Sequence, residues 1–389
     1  MSPRTRLLLA LTSTTLIGYI LVGSLLGRVL GDTTYGQLAV FNEVIRLVID
    51  AYVDPVNVER AMAGADLGLT DALDGDSAYL DDEEFRLFQQ PHRDADADVG
   101  VVLTRRFTFL MVVAPRPGSP AERAGVKPGD ILKTIDGRHT RPMAVPTGER
   151  LLRGAPGSVV KLTLLRPGSD PLDVSVVRER LSPALPKGRM LEDGVGYLKV
   201  PEFLSKTGEE VRSEVEALKR SGARRLVVDV RGAAYGIPGE GVKVAELFLK
   251  GGVVTRLSGQ RVSEQILNAD PARSSWDQPM ALLVDSGTAG PAEIVAAALK
   301  DAGRSPIIGE RTFGRAPSQR AIPLAEGGLL LTVAKYVSPK GTAIHGHGVE
   351  PTVAVEPPSS QAAEEGKSSA DPILDKALEV LKAEAKKAA

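Results

Sequence analysis

Apolar residues set the first landmarks along this chain. Leu38, Phe41, Val44, Ile45, Val48 and Ile49 recur at steps of three and four, the spacing that lays one stripe along a helix. The pattern predicts a helical region over 35–65, broken at Asp54-Pro55 and restarting near Val58, because the residue before a proline is pushed out of helical geometry. Beyond position 95 the pattern changes. Val99–Thr104, Phe107–Ala114, Ile131–Ile135, Val159–Leu165 and Leu172–Val177 read as strands. Ser119 caps a short helix with Pro120 at its first position, and Gly125 ends it. Asp136-Gly137 marks a hairpin turn. From Gly194 onward strands (Val195–Val200, Arg225–Val230, Met280–Val284, Ser305–Gly309, Leu329–Tyr336) mix with helices (Thr207–Ser221, Gly241–Leu249, Ala292–Ala302). Such alternation predicts an α/β unit with a parallel sheet. Pro357–Ala370 reads as a polar linker. A last helix follows, with Ile373, Leu374, Ala377, Leu378, Leu381 and Ala385 on one side, expected to dock on the core or on a second chain.

At the N-terminus, Arg4 and Arg6 precede an uncharged run from Leu7 to Gly27. A helix needs about 20 residues to cross a bilayer. The leading arginines fit the positive-inside rule, so the rest of the chain is expected outside the cytoplasm, which is the periplasm if the cell is Gram-negative. No clear cleavage site follows, so an uncleaved signal anchor is expected over a removed signal peptide.

The length of 389 residues calls for more than one domain. The boundaries read as 1–31 (signal segment), 32–94 (helical region), 95–182 (strand-rich domain), 183–356 (α/β core) and 357–389 (linker and last helix). Lys and Arg number 48 against 49 acids, a balance of −1 that argues against nucleic acid as a partner. There is no cysteine, which excludes disulfides, thiolate metal sites and a cysteine nucleophile. Four histidines (His92, His139, His345, His347) argue against a multi-histidine metal centre. Asp74-Gly75-Asp76-Ser77 has acidic spacing but lacks the twelve-residue calcium loop with its terminal glutamate. The glycine-rich stretch 232–239 is neither a Walker loop nor a dinucleotide fingerprint. No metal and no cofactor are expected.

The string GSPAERAGVKPGDILKTIDG, at 118–137, resembles a PDZ domain. The resemblance implies binding of extended peptides, often C-terminal tails, by strand addition at a sheet edge. The segment matching its carboxylate loop is Gly100-Val101-Val102-Leu103, with Val102 where a second glycine is usual. Arg105 and Arg106 are candidate positive charges for the peptide-binding site. Four further blocks, AYVDPVNVERAMAGADLGLTDALDGDSAYLDDEEF, LVVDVRGAAYG, ALLVDSGTAGPAEIVAAALKDAGRSPIIGERTFGRAPSQ and LLLTVAKYVSPKGTAIHGHGVEPTV, surround it. Together they resemble the carboxyl-terminal processing (tail-specific) serine proteases over roughly residues 40–385. The implied fold is a PDZ domain inserted between an N-terminal helical segment and an α/β protease core, preceded by one transmembrane helix. In that family the PDZ domain presents a substrate tail or gates the site, and a Ser–Lys pair cleaves the peptide bond.

Here the matching position for the nucleophile is Gly290 and for the base Arg315, with only the helper Gln319 retained. Glycine has no oxygen to attack with, and an arginine whose pKa exceeds 12 is no base near neutrality. The oxyanion turn is altered as well. Tyr235 stands where the family has a glycine after Gly232, and Pro291 follows the nucleophile position without an N–H. Ser286 and Thr288 lie close enough in sequence to replace the lost hydroxyl, and Lys300, Lys335, His345 and His347 are the basic groups nearby. The expected function is therefore a membrane-anchored pseudoprotease that binds peptide or protein C-terminal tails as an adaptor or regulator. Its further partners would be an active homologous protease or copies of itself. The alternatives are an active serine endopeptidase with a rearranged site and a purely structural envelope protein.

Overall fold

In the computed structural model, residues 36–90, 97–106, 108–356 and 371–388 are described. The uncharged run at 7–27 and the linker at 357–370 lie outside them. Helix α1 (36–51) stops before Asp54-Pro55 and α2 (Val58–Asp71) follows, as the break predicts. Contacts divide the chain between Asp66 and Leu67. In the first unit, Phe41, Val48 and Ile49 of α1 and Ala61, Met62 and Ala65 of α2 line an apolar groove of about 300 Å³. Among the described residues no helix is long and apolar enough to cross a membrane.

The second unit opens with β1 (Ala78–Leu80) and α3 (Asp82–Gln89), whose N-terminal amide at Glu84 donates to the Asp81 carboxylate. The strand-rich domain then carries β2 (Val101–Arg106), β3 (Phe109–Pro115), α4 (Pro120–Arg123), β4 (Ile131–Ile135), β5 (Arg138–His139), α5 (Val145–Leu152), β6 (Val159–Leu165) and β7 (Leu172–Val177). Its sheet runs β2-β3-β4-β6-β7, with β5 paired to β4, so β2 lies at an edge. Alternate strand positions fill a core of Leu103, Leu110, Val112, Ile135, Leu162 and Leu164, closed by Leu152 of α5. Ser119 caps α4 by accepting the Glu122 amide, as read from the sequence. The helix α5 was not expected: Pro146 and Gly148 hide its period, yet a Cβ at Gly148 would meet Leu110 Cδ1 at 2.2 Å, so only glycine lets this helix lie on the sheet.

The remaining chain forms β8 (Lys187–Met190), β9 (Val195–Lys199), α6 (Thr207–Arg220), β10 (Arg225–Asp229), α7 (Pro238–Glu246), β11 (Val253–Gly259), β12 (Val262–Asn268), β13 (Met280–Val284), α8 (Pro291–Asp301), β14 (Ile307–Gly309), β15 (Pro317–Pro323), β16 (Gly328–Val337), β17 (Val353–Ala354) and α9 (Pro372–Ala388). The central sheet runs β17-β14-β13-β10-β9-β8 and is parallel except at the β8 edge. Helices α6, α7 and α8 bury Val211, Val215, Val244, Ile294, Val295 and Leu299 on one face. Helix α9 covers the other, packing Ile373, Ala377 and Leu381 against Val227, Ala281, Leu283 and Ile308. Burial on both faces explains why these strands read as unbroken apolar runs. It also settles the docking of the last helix on the core. Arg231 ties it there through a two-bond pair with Asp371 at 2.7 and 2.8 Å. A second sheet, β1-β16-β11-β12 with β15 on β16, stands beside the site described next.

Candidate active-site region

Strand β13 feeds α8 through a turn in which Gly290 holds φ 59° and ψ −120°. That conformation is open to glycine and costly for residues with a Cβ. A sharp strand-to-helix turn of this kind is how a nucleophile is held clear of its neighbours. The space for a side chain persists: a Cβ at 290 would find its nearest atoms at 3.7 Å (Arg315 O) and 3.8 Å (Ala234 O). The turn therefore keeps its shape and its room but carries no oxygen.

Glu293 fastens this turn to the loop bearing Arg315. Its fully buried carboxylate accepts from the amides of Gly290 (3.0 Å), Gly314 (2.7 Å) and Arg315 (2.8 Å) and from the Thr312 hydroxyl (2.5 Å). Burial pushes its pKa up to about 7 against the pull of these donors. Sequence reasoning missed this residue; the spacing of a capping box, an acid three positions into a helix, is the signal that marks it.

Arg315 does not reach toward residue 290 with a free base. Its Nε donates to Asp76 Oδ1 at 2.7 Å, and Asp76 is buried. Gln319 donates its Nε2 to the Asp76 carbonyl at 2.6 Å, so the retained helper holds the 76 segment rather than orienting a group at 315. Nothing in the sequence around Asp76 signals this partnership, which joins residues over two hundred positions apart.

The oxyanion turn is half occupied. The Gly232 amide donates to Asp285 Oδ1 at 2.8 Å and the Ala233 amide to the Val230 carbonyl at 3.1 Å. The Ala234 and Tyr235 amides have no acceptor among the described residues. On the opposite side Gly290 N–H is spent on Glu293, and Pro291 has none. Tyr235, which stands where the family has a glycine, does not hold a positive φ. The positive φ falls on Gly236, at 143°, where a Cβ would lie 2.3 Å from the Phe203 carbonyl oxygen. The Tyr235 ring instead lies under Arg116, whose guanidinium carbon is 4.3 Å from the ring centroid. Arg116 also forms a two-bond pair with buried Glu202, at 2.5 and 3.1 Å. Arg116 directly follows β3 of the PDZ-like sheet and Glu202 belongs to the core, so this group pins one domain to the other.

Replacement chemistry is not assembled nearby. Thr288 is fully buried and donates to the Val230 carbonyl and the Asp285 carboxylate. Ser286 is exposed, and its hydroxyl makes no hydrogen bond to a basic side chain among the described residues. Lys300 donates to the Glu350 carbonyl at the far end of α8. Lys335, His345 and His347 line a cavity with Arg315 instead. Over the whole region sits the PDZ-like domain: Val102, Val113 and Ala114 pack with Ala234, Ala289 and Phe313.

The expected peptide-binding residues divide. Gly100 holds φ 79° and a Cβ there would meet Ser119 Cβ at 2.4 Å, so the loop needs glycine. Val101 is half-buried, Val102 faces the core domain and Leu103 lies in the PDZ-like core. Arg105 is a correction. Its side chain pairs with Asp71 and donates to the Arg141 carbonyl, and its amide donates to the Gly75 carbonyl at 3.0 Å. It is bound into the chain itself and offers no charge to a peptide. Arg106 is exposed at the strand end.

Comparison with known proteins agrees with this geometry. Residues 194–355 match Peptidase family S41 and residues 111–166 match the PDZ domain. The chain is 30% identical to the carboxy-terminal processing protease CtpA of Bacillus subtilis, over 86% of this chain and 72% of that one. It is 31% identical to the carboxy-terminal-processing protease of Bartonella bacilliformis, over 84% of this chain and 77% of that one. The solved structure of a photosystem II D1 C-terminal processing protease superposes with a TM-score of 0.68 at 27% identity, covering 81% of this chain and 92% of that chain. A PDZ-like edge sheet docked over a strand-to-helix turn, on a sheet of this order and in a chain with these relatives, makes the protein a member of the carboxy-terminal processing proteases of peptidase family S41.

Proposed function

We propose that this chain is a catalytically silent member of its family, a membrane-anchored protein whose bulk lies outside the cytoplasm. It takes peptide or protein C-terminal tails at the β2 edge of its PDZ domain and acts as an adaptor or regulator, with an active homologue or further copies of itself as partners. The observation that carries the reading is the pair of positions 290 and 315. A preserved turn presents a glycine, and the neighbouring cation is an arginine fixed to Asp76. Neither supplies a nucleophile or a base. The family fold around them is intact, which favours retained binding over retained chemistry. The arginine-led run at 7–27 supports the anchor.

Binding is tested by titrating the full chain with fluorescent peptides that end in free carboxylates. The expected affinity is on the order of micromolar or weaker, because a flexible peptide must be ordered along a short edge. No saturable binding at millimolar peptide would move the reading to a purely structural envelope protein.

A further inference from the structure

Strand β16 forms the floor of a cleft of about 460 Å³ on the second sheet. Strand β15 pairs along one side of β16, with Arg320 opposite Leu331, and the β11–β12 hairpin lies along the other. A Cβ at Gly259 would stand 2.2 Å from the Val333 carbonyl oxygen, so only glycine lets the hairpin tip come this close to β16. The tip carries Arg261 into the cleft. Two arginines thus flank one strand from different elements, their backbones about 10 Å apart at ordinary strand spacing. Between them lie Leu331 and Val333, half-buried and two positions apart, so both sit on one face of the sheet.

Among the described residues no acid lines this cleft. Arg261 and Arg320 are exposed, and neither side chain has a hydrogen bond or ion pair with those residues. Glu264, two positions beyond Val262 on the hairpin, is taken by Arg256 at 3.5 Å. Lys335 borders the cleft too, but it also lines the neighbouring cavity, where Asp74 and Asp76 match it and Arg315. With Lys335 left out of the count, two positive charges remain, those of Arg261 and Arg320.

The shape narrows the ligand. A guanidinium presents a planar fork that fits the two oxygens of a carboxylate or a phosphate. A single compact anion would use this charge and leave Leu331 and Val333 uncovered. No aromatic side chain lines the cleft, so it offers no stacking surface to nucleobases. An extended peptide with acids at positions i and i+4 and an apolar residue at i+2 presents all three on one face over about 13 Å. Its acids reach the two arginines, and its apolar side chain covers the floor between them.

We propose that this cleft binds an acidic, extended peptide segment, with Arg261 and Arg320 each taking one carboxylate and an apolar residue between them seated on Leu331 and Val333. The site lies on the core. It needs neither a free chain end nor the Gly100–Leu103 loop, so it does not depend on that loop taking tails.

The test is calorimetric titration of the full chain with the peptide Glu-Ser-Val-Ser-Glu, blocked by acetyl and amide groups so that no chain end is offered, and with its isostere Gln-Ser-Val-Ser-Gln. Inorganic phosphate and phosphatidylglycerol vesicles are titrated alongside. Arg261→Gln and Arg320→Gln should each weaken the acidic peptide about fivefold, the upper end for an exposed pair, and together about 25-fold, with circular dichroism unchanged. The glutamine peptide should bind the unaltered chain about 25-fold more weakly than the acidic one, for the same two contacts. Arg220→Gln, at an exposed position of α6 outside the cleft, should change nothing. Equal affinity for the two peptides overturns the proposal, and so does acidic-peptide binding that survives the double substitution. A loss that Arg220→Gln reproduces would trace the effect to net charge and overturn it as well. Phosphate binding more tightly than the peptide, or vesicles that hold the chain only while both arginines are present, would overturn the assignment to a peptide.

Discussion

Restoring a side chain at Gly290 measures how much of the family turn survives. A Cβ at φ 59° and ψ −120° is strained by about 1–3 kcal/mol. Packing adds little to this, because the nearest atoms would stand at 3.7 and 3.8 Å, ordinary van der Waals contact. Gly290→Ala and Gly290→Ser are therefore each expected to lower stability by about 1–3 kcal/mol. With urea slopes of about 1–3 kcal/mol per molar, the unfolding midpoint falls by roughly 1 M. The assay is urea unfolding of the full chain followed by circular dichroism. An unchanged midpoint would show that the turn relaxes and stores no strain, and a loss well above 4 kcal/mol would show that the room is not there. Chemistry is a separate matter. Gly290→Ser with Arg315→Lys should remain unlabelled by a serine-reactive probe, because Pro291 offers no N–H to an oxyanion. Adding Pro291→Ala returns one donor, worth about 3 kcal/mol or a hundredfold or more in rate, so labelling should appear first in the triple variant. Tyr235 stays in place, since its backbone takes no unusual angle. Full labelling of the double variant would refute the oxyanion reasoning.

Two further outcomes follow from buried charges. Glu293 has a folded pKa raised from 4.5 to about 7, so its contribution is fully present below about pH 4.5 and is withdrawn as pH rises through 7. Glu293→Gln sets an NH₂ group against amides that need an acceptor; it should cost about 2–3 kcal/mol near pH 5 and less by pH 8, and a cost that grows with pH in urea midpoints would contradict the assignment. Arg116→Ala strands Glu202, which is 1% exposed, and should cost about 3–5 kcal/mol, whereas Tyr235→Leu removes only the ring contact and should cost about 2 kcal/mol at most. Equal losses in the two variants would mean that the ion pair does not hold the domains together.

Much of the fold is legible because local signals and tertiary packing agree. Ser119-Pro120, Asp136-Gly137 and the break at Asp54-Pro55 each fix a boundary through backbone geometry alone. The parallel strands announce themselves because both faces are covered. Elements whose sequence serves a distant contact are hidden. Gly148 looks like a helix breaker until Leu110 is seen beneath it, and β12 is a largely exposed strand with little apolar alternation. The same division holds at the site. Gly290, Arg315 and Pro291 can be read directly, because each lacks an atom or a proton equilibrium that the chemistry needs. The partners that fix the arginines of this region, Asp76 for Arg315, Glu202 for Arg116 and Asp71 for Arg105, come from remote segments. Arg105 shows the consequence: an arginine at the end of a binding strand looks available until its guanidinium is found facing Asp71.

The central claim is that a preserved protease fold has no protease chemistry. The purified full chain, incubated with an unstructured protein bearing a C-terminal tag and followed by mass spectrometry, tests it. The substrate is expected to stay intact over the time an active relative needs to remove the tag. A truncated product that disappears when Thr288 or Ser286 is changed to alanine would show a rearranged working site and contradict the account.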